Sequence, residues 1–129
     1  MTSFSTGAVP RPVVLLVDDE GALLELLELE LSREFDVDTA RSADEAQACL
    51  ATRAYDAVVC DHMMPGEEGL QFLIRARTHF PGTLRIMVTG YMNPDLISRS
   101  TSLAGLSACL IKPVPADEIS RAIRAVLQP

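Results

Sequence analysis

Short apolar runs alternate with longer amphipathic segments along the chain, and the two patterns favour different secondary structures. The run VVLLV at residues 13–17 is continuous and β-branched, as in a strand that is covered on both faces. The segment FDVDTA at residues 35–40 instead alternates apolar and polar residues, which predicts an edge strand. In all, the pattern predicts strands at residues 13–17, 35–40, 56–60, 84–88 and 107–111.

The amphipathic segments between these strands predict helices. Ser42 begins a Ser-Ala-Asp-Glu sequence with the spacing of a capping box, and the helix it opens should run to about Thr52. Asn93 and Pro94 have the N-cap and first-turn chemistry of another helix start. The predicted helices cover residues 20–33, 42–52, 69–80, 96–103 and 119–127.

Five consecutive strand–helix units predict an α/β fold with a parallel sheet and helices on both faces. Five units are too few for an eight-stranded barrel, so an open, doubly wound sheet is expected. Residues 1–12 (MTSFSTGAVPRP) are predicted to be a flexible leader, and residues 13–129 to form one domain.

Composition narrows the function classes. The 129 residues are enough for one domain, and no apolar run reaches the roughly 18 residues needed to cross a bilayer. The N-terminus also lacks the order of a signal peptide, so we expect a cytoplasmic protein with no membrane contact. The net charge of −7 argues against direct nucleic-acid binding by this chain. Cys49, Cys60 and Cys109 have no metal-binding spacing, and we expect reduced, mostly buried thiols.

Polar residues follow the apolar strands at one common end. Asp18 and Asp19 follow the first strand, Asp61 the third and Thr89 the fourth, and Lys112, the only lysine, follows the fifth. In an open parallel sheet, ligands bind outside the carboxyl ends of the strands, near the point where strand order reverses. We therefore expect these residues to meet in one cleft.

This set of side chains matches phosphoryl chemistry. Three carboxylates repel one another unless a cation lies between them, and Mg²⁺ prefers such oxygen ligands. A carboxylate beside Mg²⁺ can attack phosphorus to give an aspartyl phosphate. A lysine ammonium and a threonine hydroxyl can then neutralise and hydrogen-bond the phosphoryl oxygens.

Four stretches together resemble the receiver domain of two-component response regulators. They are VVLLVDDE (13–20), VVCDHMMPGEEGL (58–70), IMVTGY (86–91) and ACLIKP (108–113), in the order and spacing of that family. The resemblance covers roughly residues 13–127. It implies a flavodoxin-like (βα)5 fold with strand order 2-1-3-4-5.

The resemblance also implies a role for each matching residue. Asp61 would be the phosphoacceptor, and Thr89 and Lys112 would contact the phosphoryl group. A cis peptide bond would precede Pro113, as is common in the family. The Mg²⁺ ligands would be Asp18, Asp19, Asp61 and the backbone carbonyl of Met63.

One position departs from the family pattern. Most receivers carry an aromatic residue three positions before the lysine, where this chain has Cys109. Tyr91 is the nearest aromatic residue that could substitute for it. We therefore assign Tyr91, Cys109 and Pro113 to the switch region, and expect the usual coupling between threonine and aromatic residue to be absent or rerouted.

The function implied is a phosphorylation-dependent signalling switch. A histidine kinase or phosphotransfer protein would phosphorylate Asp61, and the domain would catalyse only its own phosphorylation and slow hydrolysis. A homodimer through the face between the fourth and fifth helices is a further expectation from the family.

Three alternatives compete with this interpretation. The first is a pseudo-receiver that only docks or dimerises. The second is a Mg²⁺-dependent phosphohydrolase of the haloacid-dehalogenase type, which would need an aspartate where this chain has Met63. The third is a flavodoxin-like cofactor binder, whose phosphate-cradling loop is replaced here by DDEG at residues 18–21.

His62 is predicted to be a solvent-facing loop residue.

Overall fold

Five parallel strands form one sheet in the computed structural model, which describes residues 10–90 and 93–128. The sheet order is β2-β1-β3-β4-β5, so the predicted order 2-1-3-4-5 and the edge position of the second strand are confirmed. The strands are β1 (Val13–Val17), β2 (Asp36–Ala40), β3 (Ala57–Asp61), β4 (Leu84–Thr89) and β5 (Ala108–Ile111).

One helix follows each strand, which confirms the predicted alternation. The helices are α1 (Gly21–Leu31), α2 (Ala43–Thr52), α3 (Gly69–His79), α4 (Pro94–Ala104) and α5 (Ala116–Leu127). Helices α1 and α5 pack on one face of the sheet, whereas α2, α3 and α4 pack on the other. The fold is therefore doubly wound, with strand order reversing between β1 and β3.

Side chains that alternate along the strands build two separate cores. In β1, Leu15 points towards α2 and α3, while Val14 and Leu16 point towards α1 and α5. Phe72 of α3 is fully buried in the first core, and Ile123 of α5 is fully buried in the second. The central strands are covered on both faces, as the continuous apolar runs predict.

The register of the sheet brings the carboxyl ends of the central strands level. Val17 at the end of β1 pairs with Cys60 in β3. Asp61 pairs with Val88 in β4, and Thr89 pairs with Ile111 in β5. The loops after β1, β3, β4 and β5 therefore start from one edge of the sheet.

Helices α1, α4 and α5 differ in extent from the prediction, and α5 begins at Ala116 rather than at residue 119. Helix α4 begins at Pro94 rather than at residue 96, because the Asn93 side chain accepts hydrogen bonds from the backbone N–H groups of Asp95 (2.9 Å) and Leu96 (3.3 Å). Helix α1 ends at Leu31 rather than at residue 33. The chain turns there, and Phe35 enters the core beneath α1 and α5.

The state of the cysteines, the lengths of the helices and the N-terminal leader were also predicted from the sequence. All three cysteines are free thiols, with Cys60 buried and the other two half-buried. Among the described residues, no helix has the length and apolar character required to traverse a bilayer. Most of the predicted leader lies outside the described residues.

The N-cap of α2 gives a stability prediction. The Ser42 hydroxyl accepts a hydrogen bond from the Glu45 backbone N–H at 3.1 Å, as the capping-box spacing predicted. Ser42→Ala should lower the free energy of unfolding by about 1 kcal/mol, because that helix N–H loses its partner. Urea unfolding would show this as a lower midpoint with an unchanged slope.

Ser98→Ala is the matched control, since Ser98 is an exposed residue in the middle of α4. It should leave stability unchanged or raise it slightly. Equal losses in the two variants would contradict a specific role for the Ser42 cap.

Candidate functional site

Three carboxylates meet where β1 and β3 end. One carboxylate oxygen from each of Asp18, Asp19 and Asp61 lies within 4.8 Å of the others. The two strands are neighbours in the sheet, so residues more than 40 positions apart in sequence become adjacent. The predicted acidic cluster is therefore present in the structure.

The three carboxylates differ in exposure. Asp18 and Asp61 are buried, at 8% and 5% exposure, whereas Asp19 is exposed. Asp18 Oδ1 accepts a hydrogen bond from the Glu20 backbone N–H at 2.9 Å, which holds the loop between β1 and α1. A metal ion here would have solvent access on the side of Asp19.

Lys112 contacts the acidic cluster from the end of β5. Its Nζ lies 2.9 Å from Asp61 Oδ1. Burial alone would lower the pKa of Lys112, but the ion pair with Asp61 and the nearby Asp18 and Glu20 carboxylates outweigh burial and raise it. Lys112 is therefore a firmly charged ammonium in the site.

The surroundings of Asp18 disfavour its charged form, whereas those of Lys112 favour the charged form. Burial raises the pKa of its carboxyl group, and repulsion from Asp61 adds to this effect. The Glu20 N–H and the Lys112 ammonium oppose the rise without cancelling it. In the metal-free cluster, burial therefore disfavours the charged form of Asp18 even with Lys112 in place.

Thr89 completes the edge at the end of β4. It is fully buried, and its backbone carbonyl accepts a hydrogen bond from the Lys112 N–H at 2.8 Å. The Lys112–Pro113 peptide bond is cis, as the resemblance implied. The ends of β4 and β5 are thus tied together directly beside the acidic cluster.

The structure describes the positions of two further predicted site residues, Met63 and Cys109, but not that of Tyr91. Met63 follows Asp61 in the loop to α3, with a half-exposed side chain. Cys109 is half-buried in β5 opposite Met87, and burial raises the pKa of its thiol. Tyr91 lies outside the described residues.

His62 corrects the prediction that it faces solvent. It is only 4% exposed, and its Nε2 lies 3.8 Å from a Glu68 carboxylate oxygen. The sheet pairing continues past Asp61, because the His62 N–H donates to the Val88 carbonyl at 2.8 Å. The His62 carbonyl also accepts from the Gly69 N–H at 2.7 Å, so the residue is held at the start of α3.

Gly69 is a site residue that sequence reasoning did not single out. A Cβ built on it would lie 2.1 Å from the Asp61 carbonyl oxygen and 3.0 Å from the His62 Cα. Helix α3 can therefore approach the end of β3 only because residue 69 has no side chain. The signal in the sequence was a glycine at the first position of a predicted helix.

The donor set fits Mg²⁺. Carboxylate oxygens are the ligands that a hard divalent cation takes, and the three here are close enough to share one ion. Burial, with repulsion from Asp61, raises the pKa of Asp18, and a divalent ion would favour the charged form of its carboxylate. Asp18, Asp19 and Asp61 are the residues that could hold it.

Comparison with known proteins identifies the family. The model of the response regulator receiver domain matches residues 14–124, which is most of the chain, and the chain belongs to that family. Response regulators of this family act in two-component systems.

Relatives and solved structures agree with this assignment. The chain is 35% identical over 118 residues to the hydrogenase transcriptional regulatory protein HoxA of Cupriavidus necator, covering 92% of this chain and 24% of that protein. It is 34% identical over 122 residues to the phosphate regulon transcriptional regulatory protein PhoB of Rhizobium meliloti, covering 91% and 52%. The chain thus spans between about a quarter and about half of the length of these relatives.

Among solved structures, the receiver domain of an HD domain-containing protein from Pseudomonas fluorescens Pf-5 superposes with a TM-score of 0.83 at 31% identity. The alignment covers 95% of this chain and 91% of that one. A CheY-like receiver from Methanospirillum hungatei superposes equally well, with a TM-score of 0.83 at 30% identity over 91% and 94% of the two chains.

The close approach at Gly69 predicts a steric effect. Gly69→Ala should lower the free energy of unfolding by about 1–3 kcal/mol, because the new methyl group collides with the backbone at Asp61. Gly82→Ala is the matched control, since a Cβ there meets nothing within 4 Å. Chemical denaturation of both variants would test this, and similar stabilities would contradict the required contact.

The burial of Asp18 beside other carboxylates predicts a pH-dependent effect of Asp18→Asn. The folded state raises the pKa of Asp18 above 3.8, so the stability linked to its proton is complete below that value. That stability is lost as the pH rises through the folded pKa. Without metal, Asp18→Asn should therefore be more stable than the wild type at pH 7, and the advantage should shrink towards pH 3.8.

Mg²⁺ should reverse this order. At 100 times its dissociation constant, a ligand stabilises the folded state by about 2.7 kcal/mol, and the wild type should gain more from Mg²⁺ than Asp18→Asn. Asp117→Asn, at an exposed position of α5, should respond like the wild type. Thermal unfolding with Mg²⁺ or EDTA across this pH range measures both effects. A metal-free Asp18→Asn protein less stable than the wild type at pH 7 would refute the argument from burial and repulsion at Asp18.

Proposed function

We propose that this receiver domain is a phosphorylation-dependent switch that accepts a phosphoryl group on Asp61 in the presence of Mg²⁺. The donor would be a histidine kinase or a phosphotransfer protein. The observation that carries the proposal is the position of Asp61, which is buried at a sheet edge between two further carboxylates and the Lys112 ammonium.

Charge balance explains why the site needs a metal for this chemistry. Three carboxylates and one ammonium leave a formal charge of −2, from three negative groups and one positive group. A phosphoryl group brings further negative charge and would be repelled. Mg²⁺ held by Asp18, Asp19, Asp61 and the Met63 carbonyl would supply the positive charge that phosphoryl transfer needs.

Each side chain then has a distinct role. An Asp61 carboxylate oxygen forms the new bond to phosphorus, while the bond from phosphorus to the donor breaks and the donor leaves with its electron pair. Lys112, already 2.9 Å from Asp61, stays beside the phosphoryl oxygens as a point charge. Thr89 donates a hydrogen bond from its hydroxyl group to a phosphoryl oxygen. The domain acts on its own aspartate and turns over no external substrate.

The response would pass from Thr89 into the elements that follow it. Phosphorylation adds charge and strong acceptor oxygens, which draw Thr89 and the start of the loop to α4 inwards. The population then shifts between two arrangements of α4, β5 and α5. Because Cys109 occupies the position where most receivers carry an aromatic residue, displacement of α4 would carry more of the readout here.

The cellular setting follows from the same proposal. The relatives in the comparison are transcriptional regulators, whereas this chain has an acidic balance that does not suit direct contact with nucleic acid. We place the domain in the cytoplasm, with a homodimer through the α4–α5 face as a route for output.

Intact-mass analysis tests the phosphoacceptor directly. With Mg²⁺ and acetyl phosphate, the wild type should gain one phosphoryl group, and Asp61→Asn should gain none because its amide cannot act as the nucleophile. EDTA should abolish the adduct. Asp117→Asn is the control for loss of a carboxylate elsewhere, and it should be modified like the wild type.

The donor decides between the two remaining interpretations. If acetyl phosphate gives no adduct, the reaction is repeated with a phosphorylated histidine kinase or phosphotransfer protein. Transfer to the wild type but not to Asp61→Asn would establish a donor-selective receiver. No transfer from either kind of donor would overturn the switch and leave a pseudo-receiver that acts by docking.

A further inference from the structure

Two arginines from outside α4 cap the carboxyl end of that helix. The last carbonyl groups of any helix have no N–H partner within the helix. Here they accept hydrogen bonds from Arg77 of α3 and Arg85 of β4. The helix itself has no basic residue in its last turn, so these two side chains supply the cationic cap.

Arg85 makes the cap from within the protein. It is only 8% exposed, and its Nε donates to the Ala104 carbonyl at 2.8 Å. Its Nη1 donates to the Thr83 carbonyl at 2.7 Å, and its Nη2 donates to the Gly105 carbonyl at 3.3 Å. One guanidinium thereby joins the start of β4 to the end of α4.

Arg77 makes the cap from the surface. Its Nη1 donates to the Ser102 carbonyl at 2.9 Å and to the Leu103 carbonyl at 3.3 Å. The side chain also covers Gly105, where a Cβ would lie 3.0 Å from Arg77 Nε. Among the described residues, neither Arg77 nor Arg85 forms an ion pair with a carboxylate, and backbone carbonyls accept the hydrogen bonds of both side chains.

Apolar burial holds α4 only weakly. Its buried residues are Ser100 and Ala104, two small side chains that remove little apolar surface from water. The Ser100 hydroxyl is buried without a hydrogen-bond partner among the described residues. Leu103 is 54% exposed, and Leu96 near the other end of the helix is only half-buried. The attachment of α4 is therefore concentrated at its carboxyl end.

The opposite end of α4 lies close in sequence to Thr89, the residue proposed to contact the phosphoryl group. Its N-cap, Asn93, follows Thr89 by four residues. The helix has 11 residues and is therefore about 16 Å long, so its two ends experience different surroundings. A pull on Thr89 reaches the amino end first, while the two arginines restrain the carboxyl end.

We propose that Arg77 and Arg85 make the carboxyl end of α4 a fixed pivot, so that phosphorylation displaces only its amino-terminal half, residues 93–99. The pivot rests on the proposed function, since it assumes that the signal arrives from the aspartyl phosphate through Thr89. The arginines are positioning residues, because they act on the helix and do not touch the phosphoryl group.

Hydrogen exchange of the full chain, with and without acetyl phosphate and Mg²⁺, tests the pivot. Arg77→Gln removes the surface part of the cap without disturbing a buried side chain. Arg99→Gln is the matched control, because it removes the same charge from an exposed position on α4 itself. Arg85→Lys is a second variant. It keeps the charge but loses the planar guanidinium group, whose three nitrogens donate to three different carbonyls. Intact mass of each sample reports how much Asp61 is phosphorylated.

The proposal predicts a different result for each half of α4. In the wild type and Arg99→Gln, phosphorylation should change exchange in peptides covering residues 93–99 and leave those covering residues 101–107 within about twofold. In Arg77→Gln, exchange at residues 101–107 should be about fivefold to tenfold faster before phosphorylation, and the phosphorylation-dependent change should spread into this segment. Arg85→Lys should show the same spread.

Three results would overturn the pivot. The first is a wild-type change that spans all of α4. The second is an Arg77→Gln protein that exchanges like Arg99→Gln in both states. The third is the absence of any phosphoryl adduct, which would remove the proposed function and the pivot with it. In that last case, faster exchange at residues 101–107 in unphosphorylated Arg77→Gln would still show that the cap holds the helix end, so the two failures are distinguishable.

Discussion

The burial of Asp61 between two other carboxylates is the constraint on which the rest of the structure depends. A hydrophobic sheet must place its apolar strands inside, and the carboxyl ends of β1 and β3 then bring Asp18 and Asp61 together out of bulk water. Only one ammonium, Lys112, faces them within ion-pair distance among the described residues. The apo fold thus accumulates negative charge that favours a divalent cation and disfavours a bare phosphate.

The surrounding backbone is arranged to keep this edge in place. The His62 N–H extends the sheet beyond Asp61, and Gly69 lets the start of α3 pack against the same residues. On the other side, the Lys112 N–H joins β5 to the Thr89 carbonyl. These bonds are made by the main chain, so they position the functional side chains without using the side chains' own polar groups. The geometry of the site is therefore a property of the sheet edge.

Helix α4 stands apart from the other helices in how it is held. Helices α1, α3 and α5 bury leucine, phenylalanine or isoleucine side chains, whereas α4 buries only a serine and an alanine. Arginine–carbonyl bonds at one end take the place of an apolar stripe. Hydrogen bonds are directional and local, while apolar packing spreads along a helix, so this attachment suits the proposed displacement of one end of α4.

Periodicity and strand-end chemistry predicted a parallel sheet, its helices and the meeting of Asp18, Asp19 and Asp61, whereas the strand order came from the family resemblance. The patterns are local: apolar runs predict strands, the capping sequences at Ser42 and Asn93 predict helix starts, and the parallel topology places every strand end at one edge. The motif spacing likewise predicted the cluster of Asp18, Asp19 and Asp61, because strand order determines which ends are neighbours.

Only the tertiary structure decided the features that depend on contacts between distant segments. The residues around His62 in the sequence do not predict its burial. The burial results from pairing with β4 and from packing of the start of α3 against His62. The close approach at Gly69 depends on how the start of α3 packs against the end of β3, and two adjacent aspartates, Asp18 and Asp19, differ in exposure only in the folded chain. In the arginine cap, each arginine and the carbonyl it binds are separated by 19 to 26 positions in the sequence. A long, flexible side chain has no periodicity that reveals such a partner. Local sequence patterns determined the strands and helices and their order along the chain. Packing determined which polar groups meet, because a folded chain leaves few buried polar groups without a hydrogen-bond partner and this condition applies to the whole fold.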